Sequence, residues 1–414
     1  MGVLYNTAIS AYAAAARLAA ARSEKVSRML AGQRESVGRI LAARARKAPQ
    51  GFDFWFHVAS LGEFEQARPL IEQLKKERPQ ATILLTFFSP SGYEVRKDYP
   101  LVDCVAYLPF DKPANVRRFL DAAAPRRAVF VKYEFWINYI SALRERDIPV
   151  YLIDAIFRPG QRFFRPGGAA WRRLLGCYKH IFVQDKASKA LLQSIGITDV
   201  TVAGDTRFDR VANVRSSAVS LPQIEAWLSH NPFTLVVGSS WDPDEDRYIP
   251  WLNAHPEVRA IIAPHEFDDA RLAAIRARLA APSLLYSEVK ATVAAIPADT
   301  QTLIIDSFGL LSSLYRFGSV AIIGGGFGAG IHNINEAAVY GIPVLFGPRH
   351  QKFKEATDLI ACGAATEYTD AATLTAALDT YLADPAARAA AGHAAAAYIT
   401  ASLGATARIL PSLL

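Results

Sequence analysis

The residues best suited to chemistry lie in one glycine-rich stretch, VAIIGGGFGAGIHNINEAAVYGIPVLFGP, at positions 320–348. Its apolar start predicts a buried strand, and its glycines allow the backbone to approach a ligand closely. His332, Asn333 and Glu336 follow at the start of a predicted helix, Asn333–Tyr340. A strand, a glycine loop and a helix N-terminus favour an anion, because free N–H groups and the helix dipole face the ligand. We therefore predict a phosphate site with Glu336 near a ribose diol, against the alternative of a turn that binds nothing.

A second candidate is Glu63, which follows the aromatic strand predicted at Phe52–Val58 and lies at the start of the next helix. Ligands of open α/β sheets bind at the carboxyl ends of strands. A carboxylate at such an end can act as a general base if its surroundings set its pKa. The alternative is a first-turn glutamate that complements the helix dipole.

Three further side chains could assist. Arg207 is a permanent cation whose forked guanidinium suits a phosphate or carboxylate, although an ion pair with Asp205 or Asp209 is the alternative. His265 follows a predicted strand and could contact a donor or be structural. Glu134 stands two residues after Lys132 and could form a plain ion pair with it.

Small polar residues follow two strands of the N-terminal half. Ser60 and Gly62 precede Glu63, while Ser89, Ser91 and Gly92 follow the strand predicted at 82–88. Their hydroxyl and N–H groups could bind an acceptor. Helix capping by the serines is the alternative.

Alternating strands and helices must position these residues. Such alternation predicts two doubly wound, parallel α/β domains facing a cleft. We place the boundary near Leu221, which gives an N-terminal helical segment at 1–49, one domain at 50–220 and another at 221–414. The predicted strands are 52–58, 82–88, 102–108, 127–132, 150–155, 180–184, 200–204, 234–238, 260–263, 302–305, 320–323 and 344–346.

Composition narrows the class of protein. The 414 residues are 51% hydrophobic and 21% charged, an ordinary soluble balance. Cys104, Cys177 and Cys362 are scattered, which indicates a reducing compartment without a disulfide framework. The eight histidines show no HxxxH or HExxH pattern, so we expect no protein-bound metal.

The positive charge is concentrated at one end. Residues 1–50 contain nine Lys or Arg and two Glu, whereas the formal charge of the whole chain is +7. The alanine-rich helix predicted at 1–20 is interrupted by Arg17 before it reaches the ~20 apolar residues of a membrane span. We expect either an interfacial helix on an anionic membrane or a soluble helix packed on its own domain. Nucleic-acid binding is less favoured, because the remainder of the chain is near neutral.

Five segments together resemble the 3-deoxy-D-manno-octulosonic acid (Kdo) transferases of lipopolysaccharide biosynthesis. They are FHVASLGEFEQARPLIEQL, LLTFFSPSGYE, VKYEFW, GDTRFDR and GGGFGAGIHNINEAAVYGIPVLFGP. The resemblance implies a glycosyltransferase B-type fold and inverting transfer of Kdo from CMP-Kdo to a lipid A precursor, lipid IVA. It further implies a peripheral enzyme at the cytoplasmic face of the inner membrane, with no cofactor beyond the donor substrate.

The resemblance also implies roles for individual residues. Glu63 corresponds to the general base, and Glu134 to a second acid that supports the base or contacts the acceptor. Acceptor binding falls to Ser60, Gly62, Ser89, Ser91 and Gly92. Donor binding falls to Arg207, His265, Gly325, Gly326, Gly328, His332, Asn333 and Glu336.

Two other classes of function stay open from sequence. One is another B-type glycosyltransferase or an epimerase that uses a UDP-sugar. The other is a membrane-docked protein that binds a nucleotide sugar without turnover.

Overall fold

The computed structural model describes residues 2–216, 219–292 and 295–414. Met1, the first residue of the predicted helical segment, lies outside these residues. So do Ser217 and Ala218, which belong to the stretch where we placed the end of the first domain.

The described residues form fourteen strands, most of them short apolar runs whose side chains are buried on both faces. They are β1 Phe54–Val58, β2 Ile83–Phe87, β3 Cys104–Tyr107, β4 Ala128–Val131, β5 Val150–Ala155, β6 His180–Val183, β7 Val200–Val202, β8 Thr234–Ser240, β9 Arg259–Pro264, β10 Ser283–Leu285, β11 Thr302–Ile304, β12 Val320–Ile323, β13 Val344–Phe346 and β14 Ala365–Glu367.

Helices connect the strands, as parallel pairing requires. They are α1 Gly2–Ala19, α2 Glu24–Lys47, α3 Leu61–Glu77, α4 Pro90–Arg96, α5 Pro113–Ala123, α6 Ile137–Glu145, α7 Ala169–Leu175, α8 Lys186–Ser194, α9 Thr206–Ser216, α10 Pro222–Leu228, α11 Asp242–Ala254, α12 Asp269–Arg278, α13 Tyr286–Thr292, α14 Leu311–Leu314, α15 Asn335–Ala338, α16 Lys354–Ala361, α17 Ala371–Ala383, α18 Pro385–Ser402 and α19 Ala405–Leu413. Short 3₁₀ turns occupy Arg162–Phe164 and Tyr315–Phe317.

The strands form two parallel sheets of seven strands each. The order is β3-β2-β1-β4-β5-β6-β7 in the first sheet and β10-β11-β9-β8-β12-β13-β14 in the second. The order reverses direction between β1 and β4, and again between β8 and β12. In doubly wound sheets, loops diverge at such a switch point and leave a crevice for a ligand. The predicted α/β class is therefore confirmed, and each sheet has one obvious place for a site.

Strand β1 shows how the sequence builds the first sheet. Phe54, Phe56 and Val58 join a buried cluster on one face, while Trp55 joins the cluster on the other face. Alternate side chains of a strand point to opposite faces, and helices cover both faces of this sheet. A continuous apolar strand is the expected consequence, and the buried His57 is its polar exception.

The chain divides into two compact units that differ from the predicted domains. The first unit runs to Arg210 and also contains Leu403–Leu414, while the second comprises Val211–Ser402. The predicted range 221–414 therefore starts ten residues late and includes a last helix that packs elsewhere. That helix, α19, buries Ile409, Leu410 and Leu413 in the same apolar cluster as α3 and β1.

The two N-terminal helices pack on the first unit through specific contacts. The Tyr5 hydroxyl donates to Asp111 Oδ2 at 2.6 Å, and the Ser36 hydroxyl donates to the Tyr107 carbonyl at 2.6 Å. The other side of α1 exposes Val3, Leu4 and Leu18. Across the part of the chain that the structure describes, no helix has both the length and the apolar character needed to cross a bilayer.

Three elements differ from the sequence-based expectation. The predicted helix Asn333–Tyr340 is only the four-residue α15, because residues 331–333 lie in a loop and Gly341 ends the turn with φ +72°. Strands β10 and β14 were not predicted. Both are edge strands of the second sheet and contain polar residues, so neither shows the continuous apolar run of a buried strand.

Candidate active site

Glu63 lies at the switch point of the first sheet, in the first turn of α3 directly after β1. Its Oε2 accepts hydrogen bonds from the Ser60 amide at 3.1 Å and from the Ser60 hydroxyl. The alternative of a capping carboxylate is thus realised. Within the described residues Oε1 has no partner, and the side chain is half-buried. One carboxylate oxygen is fixed, and the other is available to take a proton.

Glu134 follows β4, the strand beside β1, and meets residues that sequence analysis did not select. Its Oε2 accepts from Trp136 Nε1 at 2.6 Å and lies 3.0 Å from Nε2 of the buried His57. The alternative of an ion pair with Lys132 is absent from the described contacts of Glu134, which lies against His57 instead.

Hydrogen bonds hold the buried His57 between Thr86 and Glu134. Trp55 Nε1 can only donate, and it donates to Thr86 Oγ1 at 2.8 Å. Thr86 Oγ1 lies 2.9 Å from His57 Nδ1 and 3.4 Å from the Phe56 carbonyl oxygen. Trp136 Nε1 lies 3.0 Å from His57 Nε2 as well as 2.6 Å from Glu134 Oε2. Both neutral tautomers of His57 satisfy these contacts, which together fix the orientation of the Glu134 carboxylate.

Arg207 lies in the first unit, in the first turn of α9. It pairs with Asp205, with distances of 3.0 Å from Nε to Oδ2 and 2.7 Å from Nη2 to Oδ2. This is one of the two ion pairs weighed from sequence. The other candidate, Asp209, instead accepts from the amides of Gly404 and Thr406, at 2.6 and 2.7 Å.

The predicted acceptor residues lie close together at the carboxyl ends of β1 and β2. Ser89 Oγ accepts from the Ser91 amide at 3.4 Å, so Ser89 caps α4. Gly92 is required by packing, because a Cβ there would lie 2.4 Å from the Phe87 ring and 2.9 Å from the Leu61 amide. Leu61 precedes Gly62 in the turn that carries Glu63, so the two loops are packed against each other.

The glycine loop occupies the switch point of the second sheet, between β12 and α15. Gly325 and Gly330 have φ of +90° and +136°, which side chains disfavour. A Cβ on Gly326 would lie 2.5 Å from the Gly347 Cα. These glycines are therefore needed to fold the loop tightly against the turn after β13.

Many amides of this loop already have partners. The Gly325 amide donates to Asp244 Oδ2 at 3.0 Å, and the His332 amide donates to the Gly324 carbonyl at 3.2 Å. Among the described residues, the loop amides without a partner are those of Gly326, Phe327 and Ala329, and the amides of Asn333 and Ile334 directly before α15 have none either. Open donors therefore lie both in the loop and where the chain enters the helix.

His332 belongs to an aromatic cluster with His265 and Trp241. The two imidazole rings stack at 4.2 Å, and the rings of Trp241 and His265 lie 4.8 Å apart. Trp241 Nε1 donates to His332 Nε2 at 3.3 Å, so the neutral ring carries its proton on Nδ1. Burial, followed by the charge of His265, lowers the pKa of His332 to about 4. His332 is therefore a neutral hydrogen-bond donor rather than a cation.

Asn333 and Glu336 are connected to each other. Asn333 Nδ2 donates to Glu336 Oε1 at 2.9 Å, and Asn333 Oδ1 accepts from the Asn335 amide at 3.2 Å. Asn333 is exposed and Glu336 half-buried, so both polar groups border the loop surface. Gly328 lies in the same loop, where its carbonyl accepts from Arg349 Nη1 at 2.7 Å.

Trp241 and Asp244, which follow β8, were not predicted from the sequence. The available signal was the polar run Ser239-Ser240-Trp241-Asp242 at the end of a predicted strand, the same pattern that singled out Glu63. The adjacency of β8 and β12, which brings Asp244 to the glycine loop, could not be deduced from strand order along the chain.

Two parallel seven-stranded sheets, each with polar loops at its switch point, define a two-domain Rossmann-like protein of the glycosyltransferase B type. The family model for 3-deoxy-D-manno-octulosonic-acid transferase (kdotransferase) matches residues 8–210. The chain is 32% identical over 396 residues to the 3-deoxy-D-manno-octulosonic acid transferase of Bordetella pertussis, covering 88% of each chain. The chain belongs to the Kdo transferase family and is a glycosyltransferase.

More distant similarities are consistent with this assignment. The transferase of the same name from Aquifex aeolicus is 25% identical over 311 residues, covering 74% of this chain and 79% of that one. Among solved structures, UDP-GlcNAc 2-epimerase from Neisseria meningitidis superposes with a TM-score of 0.59. That match covers 87% of this chain and 98% of the epimerase at 16% identity, so it shows the shared fold alone.

Proposed function

We propose that the protein transfers Kdo from CMP-Kdo to a lipid A precursor, lipid IVA, with inversion at the anomeric carbon. The observation that carries the proposal is the 32% identity to a Kdo transferase over 88% of the chain. The loops carrying Glu63 and His332 both lie at switch points, where ligands of such sheets bind.

Glu63 is the proposed base. An inverting transfer needs a group that takes the proton of the acceptor hydroxyl as this oxygen attacks the anomeric carbon from the face opposite CMP. The Ser60 amide and hydroxyl hold Oε2 and leave Oε1 to receive that proton. Because Ser60 orients the carboxylate beforehand, little side-chain freedom is lost when the acceptor binds.

Glu134 is proposed as an acceptor-side carboxylate rather than a second base. Trp136 donates to its Oε2, and His57 Nε2 lies 3.0 Å from the same oxygen, which favours a fixed carboxylate over a group that moves a proton. In this role it would orient a sugar hydroxyl beside Glu63. Ser60, Gly62, Ser89, Ser91 and Gly92 provide the rest of the proposed acceptor surface at the same sheet edge.

The second unit is proposed to bind CMP-Kdo. The open amides of Gly326 and Phe327 and the Nδ1–H of His332 are neutral donors for the phosphate, and they would stabilise it as it leaves. Glu336 is proposed to accept from the ribose hydroxyls, with Asn333 holding its carboxylate. We propose that His265, whose ring stacks on His332, orients that side chain. Arg207 is proposed to bind the negative charge of the donor.

We further propose that the enzyme works at the cytoplasmic face of the inner membrane. A lipid acceptor has to be reached at a bilayer surface, and α1 exposes Val3, Leu4 and Leu18 next to a basic α2. Apolar side chains beside arginines suit the interface of an anionic membrane. The proposal includes no nucleic-acid partner, no metal and no cofactor.

The test is donor-dependent mass gain on a defined lipid A precursor. The wild-type protein should add Kdo with CMP-Kdo present, in EDTA as well as without it. Glu63→Gln should lower kcat about 10²- to 10⁴-fold, because the amide cannot accept the proton. Glu77→Gln, an exposed change at the other end of α3, is the matched control and should keep normal turnover.

Normal turnover by a folded Glu63→Gln enzyme would exclude the proposed base. Absence of transfer by the wild-type protein, together with tighter binding of UDP than of CMP, would indicate a UDP-sugar enzyme instead. Binding of CMP-Kdo without any transfer would indicate a binding protein.

A further inference from the structure

A buried carboxyl pair lies beneath the start of α9 in the first unit. Asp154 in β5 is fully buried, and Asp205, which precedes α9, is 6% exposed. Asp205 is neutralised by Arg207. Among the described residues, Asp154 forms no ion pair with any cation. A buried carboxylate without a partner is costly, so the hydrogen bonds of Asp154 must reveal how it is accommodated.

Thr206 provides the decisive contacts. Its amide donates to Asp154 Oδ1 at 2.9 Å. Its hydroxyl oxygen lies 2.6 Å from the Gln66 carbonyl oxygen and 2.9 Å from Asp154 Oδ2. The hydroxyl has one proton, and a carbonyl oxygen can only accept. The shorter contact must hold that proton, so the contact with Asp154 needs a proton from the carboxyl group.

We propose that Asp154 is held as a neutral carboxylic acid whose O–H donates to Thr206, and that it thereby positions Arg207. Thr206 is the residue between Asp205 and Arg207, and its hydroxyl joins α9 to α3, the helix that begins next to Glu63. Asp154 is thus a positioning residue that acts through Thr206 rather than a catalytic one.

The electrostatic surroundings agree with this assignment. Burial, and then the charge of Asp205, raise the pKa of Asp154 to about 8. Burial opposes ionisation of Asp205 as well. The charge and hydrogen bonds of Arg207 outweigh that effect, and with Lys132 they hold the pKa of Asp205 below its usual value. The cations that face this pair are therefore Arg207 and Lys132, and both stabilise the ionised form of Asp205.

The sign of the pH effect follows from linkage. An aspartate of the unfolded chain titrates near pH 4, whereas Asp154 in the fold keeps its proton to about pH 8. At this residue the folded state binds more protons over the interval, so the contribution of Asp154 to the free energy of unfolding falls as the pH rises from about 4 to about 8.

Asp154→Asn tests the assignment with little change of shape. Its amide can accept from the Thr206 amide and donate to the Thr206 hydroxyl, as the neutral acid does. Asparagine also tolerates the φ of +55° at this position. Thermal unfolding of the wild type and the variant, without substrate, should be compared at intervals from pH 4 to pH 9. Asp98→Asn, at an exposed position, is the matched control.

We expect the variant to gain stability relative to the wild type steadily across that interval, and the control to show no such trend. A difference between wild type and Asp154→Asn that is constant with pH would overturn the neutral acid. So would a variant that loses most of its stability at pH 5, where the two side chains should be equivalent.

The expected effect of Asp154 on turnover rests on the proposed function, because it assumes that Arg207 binds the negatively charged donor. Wild-type kcat should fall about fivefold between pH 8 and pH 9, as Asp154 ionises beside Asp205 and displaces Thr206. Asp154→Asn should lack this decline. The same alkaline decline in both proteins would overturn the positioning role. A wild type without transferase activity would overturn the proposed function, whereas the unfolding comparison would still decide the state of Asp154.

Discussion

At the scale of single residues, the candidate site of each unit consists of neutral side chains or of charged side chains that a partner holds in place. Glu63 is held by Ser60, Glu134 is held by His57 and Trp136, and Arg207 is held by Asp205. Orientation by a fixed partner reduces the reorganisation that a reaction requires. A side chain that already has a hydrogen-bond or ion-pair partner in the structure can therefore still take part in the reaction.

His332 should remain uncharged throughout the working pH range. Burial and the neighbouring His265 disfavour the imidazolium, and the pKa of His332 is lowered to about 4. In an NMR titration of the eight histidine rings, one signal should titrate near pH 4 and disappear in His332→Gln. A His332 signal that titrates between pH 6 and 7 would contradict the neutral donor and allow a cation at the proposed phosphate site.

At the scale of elements, the loops after β1, β4, β8 and β12 determine the sites, and their shape depends on close backbone packing. The glycine loop is the clearest case. Gly326 lies against Gly347 in the turn after β13, and a Cβ would come within 2.6 Å of the Gly347 amide. The atoms that this Cβ would meet belong to the backbone and cannot move aside as a flexible side chain could, so the loop itself has to shift.

Gly326→Ala should therefore impair donor binding more than folding. Displacing the loop moves the open amides of Gly326 and Phe327, and we expect KM for CMP-Kdo to rise about tenfold or more. The comparison is Gly328→Ala, whose Cβ would meet only the Gly325 carbonyl at an ordinary 3.6 Å. Steady-state kinetics with varied donor would show a much smaller effect there. Equal effects of the two substitutions would exclude backbone crowding as the cause.

The sequence predicts elements well where an apolar run is bounded by polar turns. Val150–Ala155, Val320–Ile323 and Val344–Phe346 have the predicted bounds. Strands β10 and β14 lie at the edges of the second sheet and contain polar residues, so they lack such a run. The helix predicted at 333–340 has suitable residue types, but the Asn333 side chain accepts from the Asn335 amide and Gly341 has a φ of +72°, so the helix is confined to Asn335–Ala338.

The site was predicted less completely than the fold. Glu63 and the glycine loop were found because each follows a strand. The contact of His57 with Glu134 joins residues that are far apart in sequence, and only the adjacency of β1 and β4 brings them together. The same reasoning applies to Asp154, whose state depends on Thr206 and Gln66, both distant along the chain.

At the scale of the whole molecule, the chain returns to its first unit at the end. Ile409, Leu410 and Leu413 of α19 are buried with α3 and β1, and Asp209 receives the amides of Gly404 and Thr406. The first unit therefore completes its core with residues that follow the whole second unit in the sequence.

Ile409→Ala should weaken the first unit selectively. Removing a fully buried isoleucine side chain typically costs about 2–5 kcal/mol. Hydrogen exchange read by mass spectrometry should show lost protection in β1 and α3 but unchanged protection in β8 and β12. Ala407→Ser, on the exposed side of the same helix, is the control. Equal loss of protection in both sheets would contradict the division into units.

The proposed membrane attachment also concerns the whole chain, and α1 provides a surface on which it can be tested. Tyr5 and the buried Ala13 and Ala16 hold one face on the protein. The other face exposes 82% of Val3, 82% of Leu4 and 79% of Leu18.

Replacing these three by serine removes apolar area that would enter the interface, so binding to anionic vesicles should fall at least about tenfold. Cosedimentation would measure it, with serine at the exposed Ala11, Ala15 and Ala19 as the matched control. Added salt should weaken the binding of the wild type to these vesicles, because salt screens the charges of its arginines. Undiminished binding by the first variant would mean that α1 serves only to complete the fold of the first unit.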